Sequence, residues 1–353
     1  MFQINTRSAK RLLNMCQKNG GVFIKVGQHV SALDYVVPPE YTETLSVLQK
    51  DVARDISSDL HKIIKQELKK ESDEIFEEFD ETPLGTGSLA QVHKAKLKNG
   101  QNVAVKLQHP EVDAHSKVDM ATMGVSISFL VFNPLCSVES SLVLVVSSSC
   151  KLVAWIFPEF QFVWLADEMK KNLPLELNFL EEGKNADIVR EKFSHLPWLK
   201  VPKVYWDIST KKLLVMDYYE GGYVNDTKYL DSQNISKTEV SKKIGQLYSE
   251  MIFLNGHVHC DPHPGNLLVY KEGNQPQLVL LDHGLYTTLT DDFRLNYCNL
   301  WLSILKRDVD GIKKCSKEMG VGELYNILAA ILTQRSWKSV TKGIDQCIKT
   351  KEE

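Results

Sequence analysis

The feature that most constrains this chain is a ten-residue loop, His257–Asn266, in which Asp261 and Asn266 stand five positions apart. A second aspartate, Asp282, follows the next apolar run along the chain. Phosphoryl-transfer enzymes use an Asp and an Asn at this spacing, with a later Asp after a strand, to hold an attacking group and the Mg²⁺ of a nucleotide. We therefore predict that Asp261 is the catalytic carboxylate and that Asn266 and Asp282 bind the metal. Turn formation would explain Asp261 or Asn266 alone, but it does not explain the joint pattern with Asp282.

A small-residue loop and a lysine-bearing strand precede this region. The stretch from Gly85 to Ala90 approximates the pattern G-x-G-x-x-G, whose small residues let main-chain N–H groups approach phosphate closely. Lys106 lies on a strand that follows an Asn99-Gly100 hairpin turn, where it can reach nucleotide phosphates as a point charge. Each feature alone is a weak signal, because glycine turns and solvated lysines are common, but together they predict a nucleotide site. Its phosphate-binding residues are Gly85, Thr86, Gly87, Ser88, Leu89, Ala90 and Lys106.

Hydrophobic periodicity and turn residues predict helices and strands that fall into two blocks. Strands are concentrated between Phe79 and the break at Glu220-Gly221-Gly222, and helices dominate after it. One helix start is well marked, because Ser236 and Glu239 fit a capping box. A small mostly β lobe before a helical lobe predicts an α+β fold with two lobes, in the order of a kinase. The predicted helices are 7–17, 40–50, 56–71, 176–193 and 236–254, and the predicted strands are 91–97, 102–107, 203–207, 212–219, 267–270 and 277–281.

Composition limits the partners and locations that remain open. A net charge of −3 gives no general attraction to nucleic acid, and seven scattered cysteines without a C-x-x-C pair predict reduced thiols. Residues 120–157 are apolar and serine-rich, but Asn133-Pro134 and Glu139 interrupt every window long enough to span a membrane. We therefore expect no nucleic-acid partner and no clear transmembrane span. The first 33 residues are basic and free of acids, as in a mitochondrial presequence or in the exposed face of a first helix.

Four histidines around the loop suggest a different chemistry. His257 and His259 have the H-x-H spacing of zinc ligands, and His263 and His283 lie close by in the sequence. A metallohydrolase of this kind leaves Lys106 and the glycine-bearing loop without a role. We therefore expect the histidines to orient the loop by hydrogen bonds.

Three motifs, taken together, point to a known family. They are Lys25-Val26-Gly27-Gln28, a K-x-G-Q segment, then His259–Asn266 and Leu281–Leu285. With these motifs the chain resembles the UbiB, or aarF-domain-containing, family of atypical kinases. Ordinary protein kinases lack K-x-G-Q, and they have Phe where this chain has His283. The resemblance covers about residues 19–335, apart from an insertion.

The resemblance adds residues to the predicted site. In this family the K-x-G-Q segment and an E-x-D motif meet over the nucleotide pocket and occlude the place of a protein substrate. The second motif maps onto Glu176-Leu177-Asn178, so Asn178 replaces the expected Asp and its charge is lost. A glutamate six positions after Glu176 matches the one that pairs with the nucleotide lysine. The added residues are Lys25, Gln28 and Glu176 for the nucleotide and Glu182, as the partner of Lys106, for catalysis.

The resemblance also implies an activity and a location. It implies a two-lobed protein-kinase-like fold with an N-terminal helical K-x-G-Q extension, and binding of ATP or ADP with Mg²⁺. It implies a role in mitochondrial lipid or membrane homeostasis, through ATP hydrolysis or phosphorylation of a lipid or membrane-associated small molecule rather than of proteins. The mitochondrial location rests on the resemblance. Two alternatives remain open: a choline- or aminoglycoside-type small-molecule kinase, and a catalytically silent nucleotide-binding scaffold.

The same resemblance divides the chain into three parts. Residues 1–78 form the helical extension, and residues 79–220 form an N-lobe with an atypical insertion at about 125–153. Residues 221–353 form a helical C-lobe. We expect this C-lobe to be truncated, because family members usually continue beyond the position of residue 335.

Overall fold

The computed structural model describes residues 2–31, 37–49, 60–87, 89–109 and 171–342. Ser88 and the insertion expected at 125–153 lie outside these residues. The chain forms two compact units, which are described separately below. Unit 1 comprises Met1–Gly222, Asn266–Tyr270 and Val279–Leu285, and unit 2 comprises Tyr223–Gly265, Lys271–Leu278 and Tyr286–Glu353.

The described elements are numbered here in chain order. The helices are α1 (Phe2–Asn19), α2 (Gly21–Ser31), α3 (Pro39–Leu45), α4 (Leu60–Leu68), α5 (Ser72–Ile75), α6 (Phe179–Lys192), α7 (Thr227–Ser232), α8 (Lys237–Ser249), α9 (Asp291–Lys306), α10 (Val309–Glu318), α11 (Tyr325–Thr333) and α12 (Trp337–Lys342). The strands are β1 (Phe76–Thr86), β2 (Ala90–Leu97), β3 (Asn102–Gln108), β4 (Leu199–Lys200), β5 (Leu213–Asp217), β6 (Gly222–Tyr223), β7 (His257–His259), β8 (Leu267–Glu272), β9 (Gln275–Leu280) and β10 (Tyr286–Thr288). They pair in the orders β1-β2-β3-β5, β4-β9-β8-β6 and β10-β7.

The N-terminal helices of unit 1 pack around a small apolar core. Cys16, Ile24, Leu45 and Leu48 are buried in it. Gly27 lies where α2 comes close to Leu48 and Cys16, since a Cβ at this position would overlap Leu48 Cδ1 and lie 3.2 Å from Cys16 Sγ. The glycine of K-x-G-Q therefore lets α2 pack tightly against α1 and against the 3-10 turn that follows α3.

The antiparallel sheet of unit 1 builds its core from alternate residues of the central strands. Val103, Val105 and Leu107 of β3 are buried together with Leu213 and Val215 of β5. Successive side chains of a strand point to opposite faces, so Lys106 leaves this core and projects from the other face of β3. The sheet thereby presents Lys106 on the face away from its apolar core, the face that also carries Lys94 and Lys96 of β2.

The strand β1 lies at one end of the sheet order and is rich in acids. Glu77, Glu78, Asp80 and Glu81 are all exposed. Its pairing with β2 is interrupted by several register shifts, as is common for a strand at the edge of a sheet. β1 is thus an irregular and strongly charged edge strand.

One predicted strand of unit 1 is wrong. Residues 203–207 make a single bridge, at Val204, and then enter a 3-10 helix, Trp206–Ile208. The N–H of Ile208 donates to the carbonyl oxygen of Tyr205 at 3.2 Å, which closes the helical turn. The alternation of apolar residues there predicts a strand, but the main chain turns after one ladder contact.

In unit 2, the helix predicted over 236–254 divides into two parts. Its start is as predicted, since the Ser236 hydroxyl accepts a hydrogen bond from the N–H of Glu239 at 3.3 Å. After α8 the chain continues as a π-helix, Glu250–Asn255. The π-helix ends at Gly256, whose φ of 62° lies in the left-handed region that suits glycine.

The last four helices of unit 2 enclose a separate apolar core. Leu300, Ile304, Ile312, Cys315 and Ala329 are buried within it. Among the helices in the described part of the chain, none combines the length and the apolar character needed to cross a membrane.

Candidate active site

Lys106 is the centre of the candidate site in unit 1. Its Nζ donates to both carboxylate oxygens of Glu182, at 2.7 and 2.8 Å, and lies 3.7 Å from Asp282 Oδ2. The ring of Phe179, from the first turn of α6, lies 5.2 Å from the same Nζ. Glu182 is 3% exposed, whereas the Asp282 side chain is 40% exposed. The structure therefore brings together three predicted residues from β3, from α6 and from the segment after β9.

The electrostatics of this cluster favour bound positive charge. Burial opposes the charge of Lys106, but the carboxylates of Asp282 and Glu182 outweigh it and raise the pKa of Lys106 above its usual value. Glu176 contributes in the same direction. Burial raises the pKa of Glu182 to about 7, against the effect of the Lys106 ammonium and with the help of Asp282. The shift of Lys106 thus follows from the carboxylates around its ammonium, whereas the shift of Glu182 follows mainly from burial.

The helix α6 positions Glu182, and it is held by a cap at its first turn and by a close contact on one side. The Asn178 side chain caps it, accepting from the N–H of Leu180 at 3.3 Å. Gly183 lies against the indole of Trp206, where a Cβ would come within 2.8 Å of Cη2. Asn and Asp are equally good N-caps, so Asn178 keeps the capping function although it lacks the charge of the family's Asp.

The K-x-G-Q segment contacts the E-x-D-like segment through one ion pair. Lys25 Nζ lies 2.8 Å from Glu176 Oε2, and both side chains are mostly buried. Gln28 instead turns into the helical extension, where its Nε2 donates to the carbonyl oxygen of Leu48 at 2.7 Å. Within K-x-G-Q, the lysine therefore binds Glu176, while the glycine and glutamine hold the helices of the extension together.

The predicted metal ligands are held by main-chain hydrogen bonds. The N–H of Leu281 donates to the carbonyl oxygen of Asn266 at 2.9 Å, which links the residue before Asp282 to Asn266. Asp282 Oδ1 accepts from the N–H of Gly284 at 2.8 Å. A Cβ at Gly284 would lie 3.1 Å from Asp282 Oδ1, so the small residue leaves room for this carboxylate. The main chain of Asn266 is thus bonded to the stretch that carries Asp282 in unit 1.

Part of the predicted phosphate loop is strand. Gly85 and Thr86 pair with β2 as the end of β1, and Ala90 begins β2. The N–H of Gly87 donates to the carbonyl oxygen of Ala90 at 2.8 Å, so the open part of the loop is short. His109 Nε2 lies 3.1 Å from the carbonyl oxygen of Gly87 and fastens the loop to the chain after β3. The sequence gives no indication of this role for His109.

Unit 2 contains the loop that carries Asp261. This aspartate is exposed, and its N–H donates to His259 Nδ1 at 3.0 Å. The N–H of Gly265 donates to His263 Nδ1 at 3.1 Å. Burial, with a contribution from the charge of Asp261, raises the pKa of Tyr248 to about 12, and this ring packs edge-on against His259. Histidine side chains therefore hold the main chain of the loop.

The four histidines show contacts of a structural kind. His283 Nε2 lies 3.1 Å from the carbonyl oxygen of Leu280, and His257 stacks on Tyr286 with ring centroids 4.6 Å apart. In the ranges that the structure describes, no group of three or more His, Cys, Asp or Glu side chains is arranged to hold a metal ion. His259 and His263 therefore bond the main chain of the loop, as predicted, whereas His283 bonds Leu280 and His257 stacks on Tyr286.

Comparison with known proteins identifies the family. The ABC1 atypical kinase-like domain matches residues 47–137 and 137–316. The chain belongs to this family. The resemblance to aarF-domain-containing atypical kinases and the α+β kinase-like fold, both predicted from the sequence, are thereby confirmed.

The similar curated proteins are longer than this chain. AarF domain-containing protein kinase 1 of Gallus gallus is 48% identical over 346 residues, which cover 98% of this chain and 62% of that protein. The protein of the same name in Mus musculus is 49% identical with the same coverage. The ABC1-family chain described here therefore spans less than two thirds of the length of these relatives.

A solved structure supports the fold. The complex of Rv3197 with erythromycin from Mycobacterium tuberculosis matches with a TM-score of 0.55 and 22% identity, over 90% of this chain and 74% of that one. At this identity the likeness concerns the fold alone.

Proposed function

We propose that this ABC1-family chain binds ATP or ADP with Mg²⁺ and acts as an atypical kinase or ATPase. The observation that carries the proposal is the position of Lys106, bonded to both oxygens of Glu182 and 3.7 Å from Asp282. A buried lysine held by a helix glutamate is the arrangement with which kinases place an ammonium on nucleotide phosphates. Lys106 remains charged, because neighbouring carboxylates raise its pKa.

The residues present suit a magnesium ion. Mg²⁺ takes oxygen ligands, commonly one or two carboxylates together with substrate phosphates. Asp282 supplies a partly exposed carboxylate, and the chain next to it is bonded to Asn266. The carboxylate surplus around Lys106 also favours a divalent cation. When bound, the ion would neutralise phosphate charge, while Asp261 would orient or deprotonate the attacking group.

The K-x-G-Q segment would set the class of acceptor. Lys25 is bound to Glu176, whose charge acts on Lys106, so the helical extension is electrostatically linked to the phosphate site. We propose that this segment occludes a peptide substrate and that turnover is hydrolysis or transfer to a lipid or membrane-associated small molecule. The cellular role proposed with it is mitochondrial lipid or membrane homeostasis.

Nucleotide binding and turnover of purified variants test the site. We expect Lys106→Ala to weaken Mg²⁺-dependent ADP binding by about ten- to a hundred-fold, because a charge-assisted contact is lost. Asp282→Asn is expected to raise the Mg²⁺ concentration needed for binding, and Asp261→Asn to retain binding and lose turnover. Lys96→Ala, at a partly exposed lysine on the same sheet that pairs with Glu77, is the matched control. If Lys106→Ala and Asp282→Asn both bound nucleotide like the wild type, the assignment would be wrong.

The same experiments separate the alternatives. Binding without turnover in the wild type, and equal cellular rescue by wild type and Asp261→Asn, would identify a silent scaffold. Unchanged nucleotide and substrate handling after substitution of Lys25 and Gln28 would favour a choline- or aminoglycoside-type kinase. Mitochondrial fractionation of the tagged protein, with lipid analysis of cells that lack it, tests the location and the cellular role.

A further inference from the structure

Two side chains of the helix α6 make hydrogen bonds to the main chain of His283. Asn185 Nδ2 donates to the carbonyl oxygen of His283 at 2.9 Å. The main chain of His283 also makes a hydrogen bond to the carboxylate of Glu182. Glu182 and Asn185 stand three residues apart and so share one face of the helix. One turn of α6 therefore binds both main-chain polar groups of His283, which lie in the two peptide groups on either side of its Cα.

The main chain of His283 is adjacent to the predicted metal ligand. Asp282 precedes His283 directly, and consecutive Cα atoms are about 3.8 Å apart, so a shift of His283 moves Asp282 with it. On its other side, Asp282 follows Leu281, whose N–H is bonded to the carbonyl oxygen of Asn266 at 2.9 Å. The residues on both sides of Asp282 are thus fixed by hydrogen bonds, His283 to α6 and Leu281 to Asn266.

We propose that Asn185 is a positioning residue, which fixes Asp282 relative to Lys106 by clamping the main chain of His283 to the helix that carries Glu182. A carbonyl oxygen can only accept, so the amide NH₂ of Asn185 is the group that makes this contact. The inference rests on the proposed function, since it assigns Asn185 to the metal side of that site. Glu182 then serves two partners at once, the ammonium of Lys106 and the main chain of the metal motif.

The test uses Asn185→Leu, which has nearly the same shape and lacks the donor. Loss of the hydrogen bond is expected to raise the Mg²⁺ concentration for half-maximal binding of a fluorescent ADP about five-fold, and to leave Mg²⁺-free ADP affinity unchanged. Hydrogen exchange without nucleotide is expected to accelerate for the amides from Asp282 to Leu285, with β3 unaffected. Lys184→Ala, the exposed neighbour on the same helix, is the control and should match the wild type in both assays.

The outcomes separate the inference from the function beneath it. If the Mg²⁺ concentration for half-maximal ADP binding of Asn185→Leu were within two-fold of the wild type, the positioning role of Asn185 would be refuted. Unchanged hydrogen exchange from Asp282 to Leu285 would refute it as well. Neither result would contradict the proposed nucleotide site. Absence of Mg²⁺-dependent binding in the wild type would overturn the proposed function, and with it the metal-positioning role of Asn185. If Asn185→Leu did not fold, Asn185→Ala removes the donor without adding apolar atoms and is measured in its place.

Discussion

Replacing Lys106 by methionine would leave a buried carboxylate without its counter-ion. Glu182 is 3% exposed and makes hydrogen bonds of 2.7 and 2.8 Å to this ammonium. Breaking a buried ion pair by removing one partner costs about 3–5 kcal/mol, because the remaining charge has neither water nor a partner. We expect Lys106→Met to destabilise unit 1 by up to that amount in the pH range where Glu182 is ionised.

The loss should depend on pH in a direction that the structure fixes. In the folded chain the pKa of Glu182 is already raised to about 7, above the ordinary value of 4.5, and removal of Lys106 raises it further. A carboxyl group with a raised pKa contributes stability at low pH and loses it as the pH rises through the folded value. The penalty of Lys106→Met should therefore be small near pH 5 and larger at pH 8.

The assay is a double-mutant cycle followed by native-state hydrogen exchange of β2 and β3 amides, which reports the opening of unit 1. Lys106→Met, Glu182→Gln and the double variant are compared at pH 5 and pH 8. The double variant leaves no unpaired charge from this pair, so we expect it to lose about 2–3 kcal/mol less than the sum of the single variants. Lys96→Met, which breaks a surface pair with Glu77, is the control and should cost much less than Lys106→Met.

Additive losses, within about 0.5 kcal/mol, would refute the reasoning, since they would mean that Lys106 and Glu182 do not stabilise each other in the folded chain. A penalty that did not change between pH 5 and pH 8 would refute the account of Glu182 protonation.

Three further predictions concern stability. Burial lowers the pKa of His93, so near pH 6 the unfolded chain binds a proton at this residue that the folded chain does not. The free energy of unfolding should therefore fall as the pH drops below about 6.5. Denaturation at pH 5 and pH 7.5 should show a smaller fall for His93→Phe. The hydroxyl of Ser316 is buried and makes no hydrogen bond within the described part of the chain, so Ser316→Ala should stabilise unit 2 by about 1 kcal/mol in hydrogen exchange of α10, and a loss of stability would contradict this. Gly27→Ala should cost about 1–3 kcal/mol in the exchange of α1 and α2 amides, because its methyl group would overlap Leu48, whereas Gly100→Ala, with open space around it but a φ of +85°, separates backbone strain from overlap.

The local elements of the fold were predictable where sequence and tertiary packing agree. The strand that carries Lys106 and the capped start of α8 follow from alternation and from a Ser-x-x-Glu pattern. The strand predicted over 203–207 fails because a single bridge at Val204 gives way to a 3-10 turn. The π-helix after Ser249 has no periodic signal of its own, since an added residue in a turn leaves the hydrophobic pattern readable as one helix.

The sequence predicted which residues form the candidate site better than it predicted the contacts between them. The family pattern pairs Lys106 with Glu182, and the structure places them in contact. The clamp by Asn185 could not be predicted, because it depends on how α6 is rotated against a segment about a hundred residues later. Asn178 shows the opposite case, since its replacement of Asp suggests a loss, while the structure reveals an N-cap for which the two residues are equivalent.

The acidic strand β1 has a consequence for the behaviour of many copies in a crowded compartment. A strand at the edge of a sheet offers unpaired N–H and C=O groups, along which the same strand of another molecule can add and start a polymer. Here such an approach would set Glu77, Glu78, Asp80 and Glu81 of one molecule against the same carboxylates of the next. Their repulsion opposes this pairing, so the strand can remain at the edge of the sheet without starting aggregation.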